Sequence, residues 1–150
     1  MLLRPFIATD TEALLQIWLE ASCRSHDFIP ASYWQNNLER MRTYYLPQAS
    51  IIVAEQHGQV VGFYALCEEH LAALFVSITH QHQGIGTALL NHAKTESGRL
   101  TLQVYVQNQH ACRFYRHHGF VVMAERLCNG TDCPELVMCW SRYPSGDINA

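Results

Sequence analysis

A glycine-bearing stretch between an apolar segment and a helix-like pattern has the chemistry of a phosphate-binding loop. The stretch covers residues 81–90 and carries Gly84 and Gly86, and the apolar segment before it covers residues 71–78. Glycines let the main chain approach an anion closely, and the first N–H groups of a helix point at it. The pattern predicts a phosphorylated ligand, with a simple tight turn before a helix as the alternative.

Two common phosphate loops do not fit this spacing. A P-loop has four residues between its glycines and ends in Gly-Lys-Ser/Thr, but no lysine follows Gly86 here. A dinucleotide loop needs a third glycine three residues after the second, where this chain has Leu89. The ligand is therefore expected to be neither a P-loop nucleotide nor a dinucleotide.

The composition is that of a globular domain with a small negative charge. Of the 150 residues, 49% are hydrophobic and 15% are charged, and the net charge is −3. This balance favours no nucleic-acid partner, and no apolar run approaches the ~20 residues of a membrane span. The N-terminus lacks the pattern of a secretory signal. We expect one cytoplasmic domain over residues 1–150, with a loose tail at about 144–150 and no DNA or membrane partner.

Six cysteines and nine histidines raise the question of a metal site. The cysteines are scattered through apolar segments, which is typical of reduced, buried thiols. Cys128 and Cys133 bracket a predicted hairpin turn and could face each other. No Cys-x-x-Cys pair exists, and no His-x-x-x-His pair falls in a clear helix. We expect no metal, and a metal-binding regulator is kept as an alternative.

Hydrophobic periodicity and turn residues predict the order β-α-α-β-β-β-α-β-α-β-β. Thr9 and Glu12 fit a capping box that opens the first helix. The second helix is predicted over about 31–45, the third follows the glycine loop to about 97, and the fourth covers about 110–118. The predicted strands cover residues 2–7, 50–56, 59–67, 71–78, 100–106, 120–128 and 135–142.

Three motifs resemble those of the GCN5-related N-acetyltransferase (GNAT) family. Residues 81–86 match the acetyl-CoA loop Arg/Gln-x-x-Gly-x-Gly/Ala. Residues 74–78 resemble the strand motif Leu-x-Val-x-Pro, with Ile78 in place of the usual proline. Residues 108–120 contain the whole of Asn-x-x-Ala-x-x-Phe-Tyr-x-x-x-Gly-Phe. The resemblance covers essentially the whole chain and is closer to small bacterial enzymes of the YiaC and YjaB type.

The resemblance implies an α/β (α+β) fold with a mixed, mostly antiparallel sheet of six to seven strands and four helices. The fourth and fifth strands are implied to splay apart, so that the pantetheine arm of acetyl-CoA lies in the gap. Main-chain N–H groups and the dipole of the third helix would hold the pyrophosphate. The implied cofactor-binding residues are Phe75, Val76, Gln81, His82, Gln83, Gly84, Ile85, Gly86, Thr87 and Asn108.

The resemblance also assigns the proton transfers. Tyr115 is implied to lie beside the cofactor sulfur, where its phenol would protonate the departing thiolate. The family's usual base lies near the start of the fourth strand, where this chain has Glu69 and His70. An imidazole, with a reference pKa of about 6.5, suits a base near neutrality. The alternatives are aromatic packing for Tyr115 and a solvated hairpin surface for Glu69 and His70.

The acceptor is expected across the cleft, beside the loop between the first two helices. His26, Phe28 and Trp34 are the candidate substrate-binding residues, with an ordinary aromatic cluster as the alternative. We predict an acetyl-CoA-dependent N-acetyltransferase, monomeric or homodimeric, in which a primary amine attacks the thioester directly. A protein lysine is one candidate acceptor, and small amines and aminoacyl-tRNA remain open. A non-catalytic acyl-CoA-binding or sensing module is the alternative from another class.

Overall fold

One open sheet of seven strands carries the helices of this chain. The computed structural model describes residues 1–143, so the predicted tail at 144–150 lies outside the described residues. The spatial order of the strands is β1-β2-β3-β4-β5-β7-β6. Their bounds are β1 (Leu2–Pro5), β2 (Ser50–Gln56), β3 (Gln59–Cys67), β4 (His70–Val76), β5 (Arg99–Tyr105), β6 (Val121–Leu127) and β7 (Pro134–Ser141).

The sheet is split at its centre. Every described pair of neighbouring strands is antiparallel except β4 and β5, which are parallel and share only the partners His70 and Thr101. The Thr101 N–H donates to the Glu69 carbonyl at 2.9 Å, which closes this end of the gap. Beyond it the two strands diverge, since each is held only by its outer neighbour. The mixed, splayed sheet predicted from the family motifs is confirmed.

The helices follow the predicted order with one division. They are α1 (Thr11–Ser25), α2 (Ala31–Asn36), α3 (Leu38–Arg40), α4 (Ile85–Glu96) and α5 (Gln109–His117). The single helix predicted over about 31–45 is wrong in detail, because it is interrupted between α2 and α3 and continues as a π-helical turn, Met41–Tyr45. Asn37 lies at the interruption, and its side-chain amide donates to the Tyr33 carbonyl at 2.7 Å. Such side-chain bonds compete with the helical ladder.

The predicted capping box at the start of α1 is also wrong. The residue that precedes α1 is Asp10, and its carboxylate accepts from the Ile7 N–H at 2.9 Å and from both terminal nitrogens of Arg4. Glu12 instead forms an ion pair with Arg42 at 2.8 Å. An ion pair with β1 therefore replaces the local reciprocal bonds that the sequence pattern favours, and it ties this helix end to the sheet.

Two apolar clusters cover the two faces of the sheet. One cluster packs α4 and α5 against the sheet and includes Leu89 and Tyr115. The other packs α1 and α2 against the opposite face and includes Trp18, Trp34 and Phe63. The gap between β4 and β5 lies between these clusters, so a molecule in the gap can contact helices from both faces.

Candidate active site

A cleft of about 540 Å³ fills the gap between β4 and β5. Its size is within the range of small-molecule sites. β4 and β5 form its floor, the start of α4 and one side of α5 form one wall, and α1 and α2 form the other. It brings together most of the predicted site residues, namely His26, Trp34, Phe75, Val76, Gln81, His82, Gly84, Ile85, Gly86, Thr87, Asn108 and Tyr115.

Four predicted site residues do not line this cleft. Gln83 is exposed on the glycine loop, and Phe28 packs behind the wall, with its ring centroid 5.8 Å from that of His26. Glu69 is exposed in the turn before β4 and lies 3.6 Å from Arg99. His70 lies at the closed end of the gap, where its Nδ1 is 3.4 Å from the Thr101 hydroxyl. Burial, and then the charge of Arg126, lower the pKa of His70.

The cofactor end of the cleft is built from main chain. Gly84 precedes α4 with φ of +82°, a left-handed conformation that favours glycine, and its carbonyl accepts the Ala88 N–H at 3.0 Å. The N–H groups of Ile85, Gly86 and Thr87 belong to the first turn of the helix, where intrahelical partners are lacking. Within residues 1–143, no lysine or arginine lines the cleft. An anion here would be held by helix N–H groups and the helix dipole.

Histidines close the outer part of this end. His82 has a φ of +64°, and its ring centroid lies 5.8 Å from that of His110, at the start of α5. The Thr87 hydroxyl lies 3.4 Å from His118 Nε2. The glycine loop thus contacts the start of α5, and the first turn of α4 contacts the residue just after its end. α5 is the helix that carries Tyr115.

Tyr115 lies deep in the cleft with a buried ring. The ring packs edge to face against Phe114 and Phe120, with centroids 5.2 and 5.4 Å away. Burial raises the pKa of the Tyr115 phenol well above its ordinary value. The hydroxyl is therefore held protonated through the neutral pH range, which suits a group that donates a proton or a hydrogen bond.

Asn108 connects the two walls of the cleft. Its side-chain oxygen accepts the Ala111 N–H at 3.2 Å and so caps the start of α5. Its side-chain nitrogen lies 3.2 Å from His26 Nε2, across the cleft. Because the amide oxygen is engaged by an N–H donor, the amide nitrogen is the group that donates to His26. This network assigns a neutral imidazole with its proton on Nδ1.

His26 is held neutral inside an aromatic wall. Its ring centroid lies 5.3 Å from that of Trp34 and 5.0 Å from that of Tyr105. Burial lowers the pKa of His26 to about 4. The substrate-side wall therefore presents rigid, uncharged rings, and in this geometry His26 is a hydrogen-bonding group instead of a cation.

Tyr105 and Glu135 line the cleft but were not among the site residues predicted from the sequence. Tyr105 ends β5, and Glu135 lies opposite it on β7 as its Cα partner. Glu135 is the only carboxylate that lines the cleft within the described residues, and it pairs with Arg126 at 3.1 Å. The insertion of β7 between β5 and β6 places Glu135 there, and that pairing has no local sequence signal.

Metal ligands and membrane spans were also considered for residues 1–143. In this part of the chain, no three His, Cys, Asp or Glu side chains gather closely enough to hold a metal ion. None of its helices combines the length and the apolar character needed to cross a membrane.

Comparisons with known proteins agree with this architecture. Residues 47–122 match the family model described as an acetyltransferase (GNAT) domain. The peptidyl-lysine N-acetyltransferase YiaC of Escherichia coli K12 is 35% identical over 133 residues, which cover 88% of this chain and 91% of that protein. The peptidyl-lysine N-acetyltransferase YjaB of the same organism is 37% identical over 112 residues, or 74% and 76% of the two chains.

A solved structure extends the likeness to the whole described fold. The solution structure of the apo form of YjaB from Escherichia coli superposes with a TM-score of 0.82 at 30% identity, and covers 93% of this chain and 96% of that one. The split sheet, the main-chain phosphate end and the family match define an acyltransferase of this architecture. The chain belongs to the GNAT family of acetyltransferases, as its three motifs predict.

Proposed function

We propose that this protein transfers the acetyl group of acetyl-CoA to a primary amine, with Tyr115 as the general acid. The observation that carries the proposal is that one cleft contains both the N-terminal turn of α4 and the buried Tyr115 phenol. The first group suits the pyrophosphate, and the second suits the departing sulfur. No lysine or arginine lines this cleft within residues 1–143, in keeping with main-chain binding of the anion.

The cofactor would enter along β4. The pantetheine arm would pair with the main chain near Phe75 and Val76, in the gap that β5 leaves open. The Gln81 side chain donates to the Val76 carbonyl at 3.3 Å, so Gln81 would order this strand end beside the cofactor. Asn108 would hold the opposite rim of the cleft. This assignment follows the prediction for Phe75, Val76, residues 81–87 and Asn108, apart from the exposed Gln83.

The chemical step would be direct attack by the amine. The amine nitrogen bonds to the thioester carbon, the C–S bond breaks, and the sulfur leaves as a thiolate. Tyr115 gives its hydroxyl proton to that sulfur, and the proton lost by the amine restores the phenol through solvent. Because burial raises the pKa of Tyr115, the acid stays loaded at neutral pH.

The acceptor would bind against the wall that contains His26, Trp34 and Tyr105. Glu135, on the same wall, supplies a carboxylate that can attract an ammonium group, although Arg126 offsets part of its charge. A protein lysine is the acceptor that we propose, because the YiaC and YjaB relatives are named peptidyl-lysine N-acetyltransferases. Phe28 would support this wall from behind through its contact with His26.

The family pattern implies a base near the start of β4. Glu69 and His70 remain candidates from the family pattern, yet neither lines the cleft. The pKa of His70 is lowered, so its imidazole is neutral and able to accept a proton near pH 7. Its position at the closed end of the gap would require a water relay to the amine. A single-domain protein that acts as a monomer or homodimer in the cytoplasm remains our expectation.

A substrate panel tests the proposal directly. Purified protein and acetyl-CoA are incubated with a lysine peptide, a peptide with only a free Nα-amine, a polyamine and an aminoacyl-tRNA, while CoA release is measured. We expect turnover with the lysine peptide and none with the same peptide pre-acetylated at Nε. Turnover with another amine but not with the lysine peptide would show that the acceptor is that amine and not a protein lysine. Acetyl-CoA binding without CoA release from any amine would favour a sensing module.

A further inference from the structure

The turn between β6 and β7 brings two cysteines face to face. Leu127 and Pro134 are the last paired residues of this hairpin, and the Cys128 N–H donates to the Cys133 carbonyl at 2.9 Å. Residues opposite each other on antiparallel strands have Cα atoms about 4.5–5.5 Å apart. Disulfides span Cα separations of about 4.4–6.8 Å. The main chain is thus already arranged for a bond between these side chains.

Both side chains also lie on one face of the hairpin. The Cys128 sulfur lies 3.5 Å from the Tyr105 hydroxyl, and Cys133 packs against the apolar cluster that includes Tyr105. The Cys133 sulfur donates to the Thr131 carbonyl at 3.7 Å, and the Thr131 hydroxyl donates to the Tyr105 hydroxyl at 3.4 Å. Both sulfurs therefore contact the side of the turn formed by Thr131 and Tyr105. Both cysteines are free and only partly buried, so a small oxidant can reach them.

The connection between them is held by main-chain bonds. It consists of residues 129–132, and the Asp132 N–H donates to the Cys128 carbonyl at 2.8 Å. Asp132 has a φ of +57°, the left-handed conformation that tight turns use. The Cys133 N–H is fixed by the Thr131 hydroxyl at 3.3 Å. A loop held in this way keeps both cysteines at short separation, which raises their effective concentration for each other.

The surroundings of Cys128 favour its reactive form. Burial raises the pKa of this thiol, but hydrogen bonds from the side chains of Thr131 and Tyr105 and from the main chain of Gly130 and Thr131 outweigh it, and the net pKa is lowered. The thiolate is the nucleophile in disulfide exchange. Cys128 is therefore the thiol that attacks first, and Cys133 is the thiol that resolves.

We propose that Cys128 and Cys133 form a reversible disulfide when the protein meets a disulfide oxidant such as oxidised glutathione. The Cys128 thiolate attacks one glutathione sulfur, forms a mixed disulfide and releases one glutathione thiolate. The Cys133 thiolate then attacks the Cys128 sulfur and releases the second glutathione. The two cysteines lose two electrons and two protons together, and one oxidised glutathione becomes two reduced ones. Formation of this disulfide does not require the acetyl transfer proposed above.

The bond would alter the rim of the substrate-side wall. Forming it would turn the Cys128 sulfur, which lies 3.5 Å from the Tyr105 hydroxyl in the reduced protein, toward Cys133. That hydroxyl also accepts from the Thr131 hydroxyl at 3.4 Å, and the Tyr105 ring packs on His26. The redox state of the hairpin is thus connected to the aromatic wall through a single side chain.

Peptide mapping tests the site in the full chain. The reduced protein is equilibrated with oxidised glutathione, free thiols are blocked with N-ethylmaleimide, and the protein is cut without reductant. Trypsin with a protease that cleaves before aspartate leaves Cys128 in residues 127–131 and Cys133 in residues 132–142. We expect these fragments to stay linked, with a mass about 2 Da below their sum. Dithiothreitol should separate them.

Matched variants distinguish the pair from the other thiols. Cys128→Ser and Cys133→Ser should each abolish the linkage, whereas Cys139→Ala and Cys67→Ser should leave it intact. The fragment 132–142 contains both Cys133 and Cys139. The Cys139→Ala variant therefore shows whether Cys133 is the residue bonded to Cys128. Unlinked fragments in the wild-type protein, a link through Cys139, or a glutathione adduct that persists on Cys128 would each overturn the proposal.

Discussion

The two ends of the cleft are built in different ways. The cofactor end comes from one contiguous stretch, residues 81–87, and presents main-chain N–H groups at the start of α4. The substrate-side wall comes from segments far apart in the chain, and its hydrogen bond between His26 and Asn108 joins residues 82 positions apart. One end depends on main-chain conformation, and the other depends on which side chains pack together.

This difference predicts which substitutions each end tolerates. Main-chain donors point the same way whatever side chain is attached, so His82 and Gln83 can occupy the loop without loss of the phosphate geometry. On the other wall, His26, Trp34 and Tyr105 depend on one another for position, and replacing one ring affects its neighbours. Substitutions that change main-chain conformation should weaken cofactor binding at the glycine loop. Substitutions that change a ring should disturb the substrate-side wall.

The largest expected effect lies at Tyr115, where the two ends meet. Tyr115→Phe keeps the ring packing but removes the proton donor, so kcat should fall by about 10²–10⁴-fold while acetyl-CoA binding is retained. Steady-state kinetics with the best amine of the panel measure kcat, and titration calorimetry with CoA measures cofactor binding. The matched control is Tyr64→Phe, a buried tyrosine outside the cleft whose hydroxyl lies 2.8 Å from His92 Nδ1. Unchanged kcat in Tyr115→Phe would remove the acid assignment.

The next effect is the pH dependence of stability caused by His26. Its pKa is about 4 in the folded state and 6.5 in the unfolded chain, so acidification protonates the unfolded chain first. The contribution of neutral His26 to the free energy of unfolding is fully present above pH 6.5. It is lost as the pH falls toward 4, and the total loss is about 3 kcal/mol. The free energy of unfolding is measured by denaturant titration at several pH values from 7 to 4.5. Its change with pH should be smaller in His26→Phe than in the wild type.

The exposed residue His117 offers the control for that slope. His117→Gln replaces an exposed histidine outside the aromatic wall, so the part of the slope that His26 causes should be retained. The comparison uses the change of unfolding free energy with pH, since His26→Phe also loses the Asn108 hydrogen bond at every pH. Equal slopes in all three proteins would show that the aromatic wall does not exclude the imidazolium.

A smaller effect is expected from glycine at the cofactor end. Gly84→Ala forces a side chain into the left-handed region, at a cost of about 1–2 kcal/mol. The loop is expected to relax and tilt its N–H groups, which weakens CoA binding by about tenfold. Gly58→Ala imposes the same strain at φ of +77° in the β2–β3 turn, outside the cleft. It should lower Tm similarly but leave the Kd for CoA unchanged.

The smallest effect is expected at the closed end of the gap. His70 lies outside the cleft, so His70→Ala should change kcat/KM by no more than a few-fold and leave the pH–rate profile in place. Glu69→Gln, in the adjacent exposed turn, should behave in the same way. If His70→Ala instead removes the acidic limb of the profile, the family-based assignment of the base is right and a water relay connects it to the amine.

Local signals predicted the elements that depend on local physics. On α1, the buried residues include Leu14, Ile17, Trp18 and Ala21, which recur at helical spacing and form one apolar stripe. The glycine loop lies before α4, and the 108–120 motif forms α5 with Asn108 as its cap. Each of these depends on residues within about one helical turn or one side of a helix, where periodicity and capping preferences act.

The break in the helix predicted over about 31–45 is local, at Asn37, whereas the other two failures involve partners from other elements. Thr9 and Glu12 have the pattern of a capping box, but Arg4 from β1 attracts Asp10 and Arg42 attracts Glu12. The missed residue Glu135 reaches the cleft because β7 enters the sheet between β5 and β6. Long-range strand pairing and ion pairs override local preferences, because burial and sheet hydrogen bonds involve more free energy than a cap.

The sequence by itself determined the family, the position of the phosphate loop and the tyrosine that we propose as the acid. These are encoded by residue types at short spacing, where a glycine, a cap or a helix face acts within one segment. Only the tertiary structure decided that Asn108 reaches across to His26, that Glu135 joins the substrate side, and that Glu69 and His70 lie outside the cleft. Those contacts depend on how strands far apart in the chain pair and diverge, and the sequence of one segment does not specify that pairing.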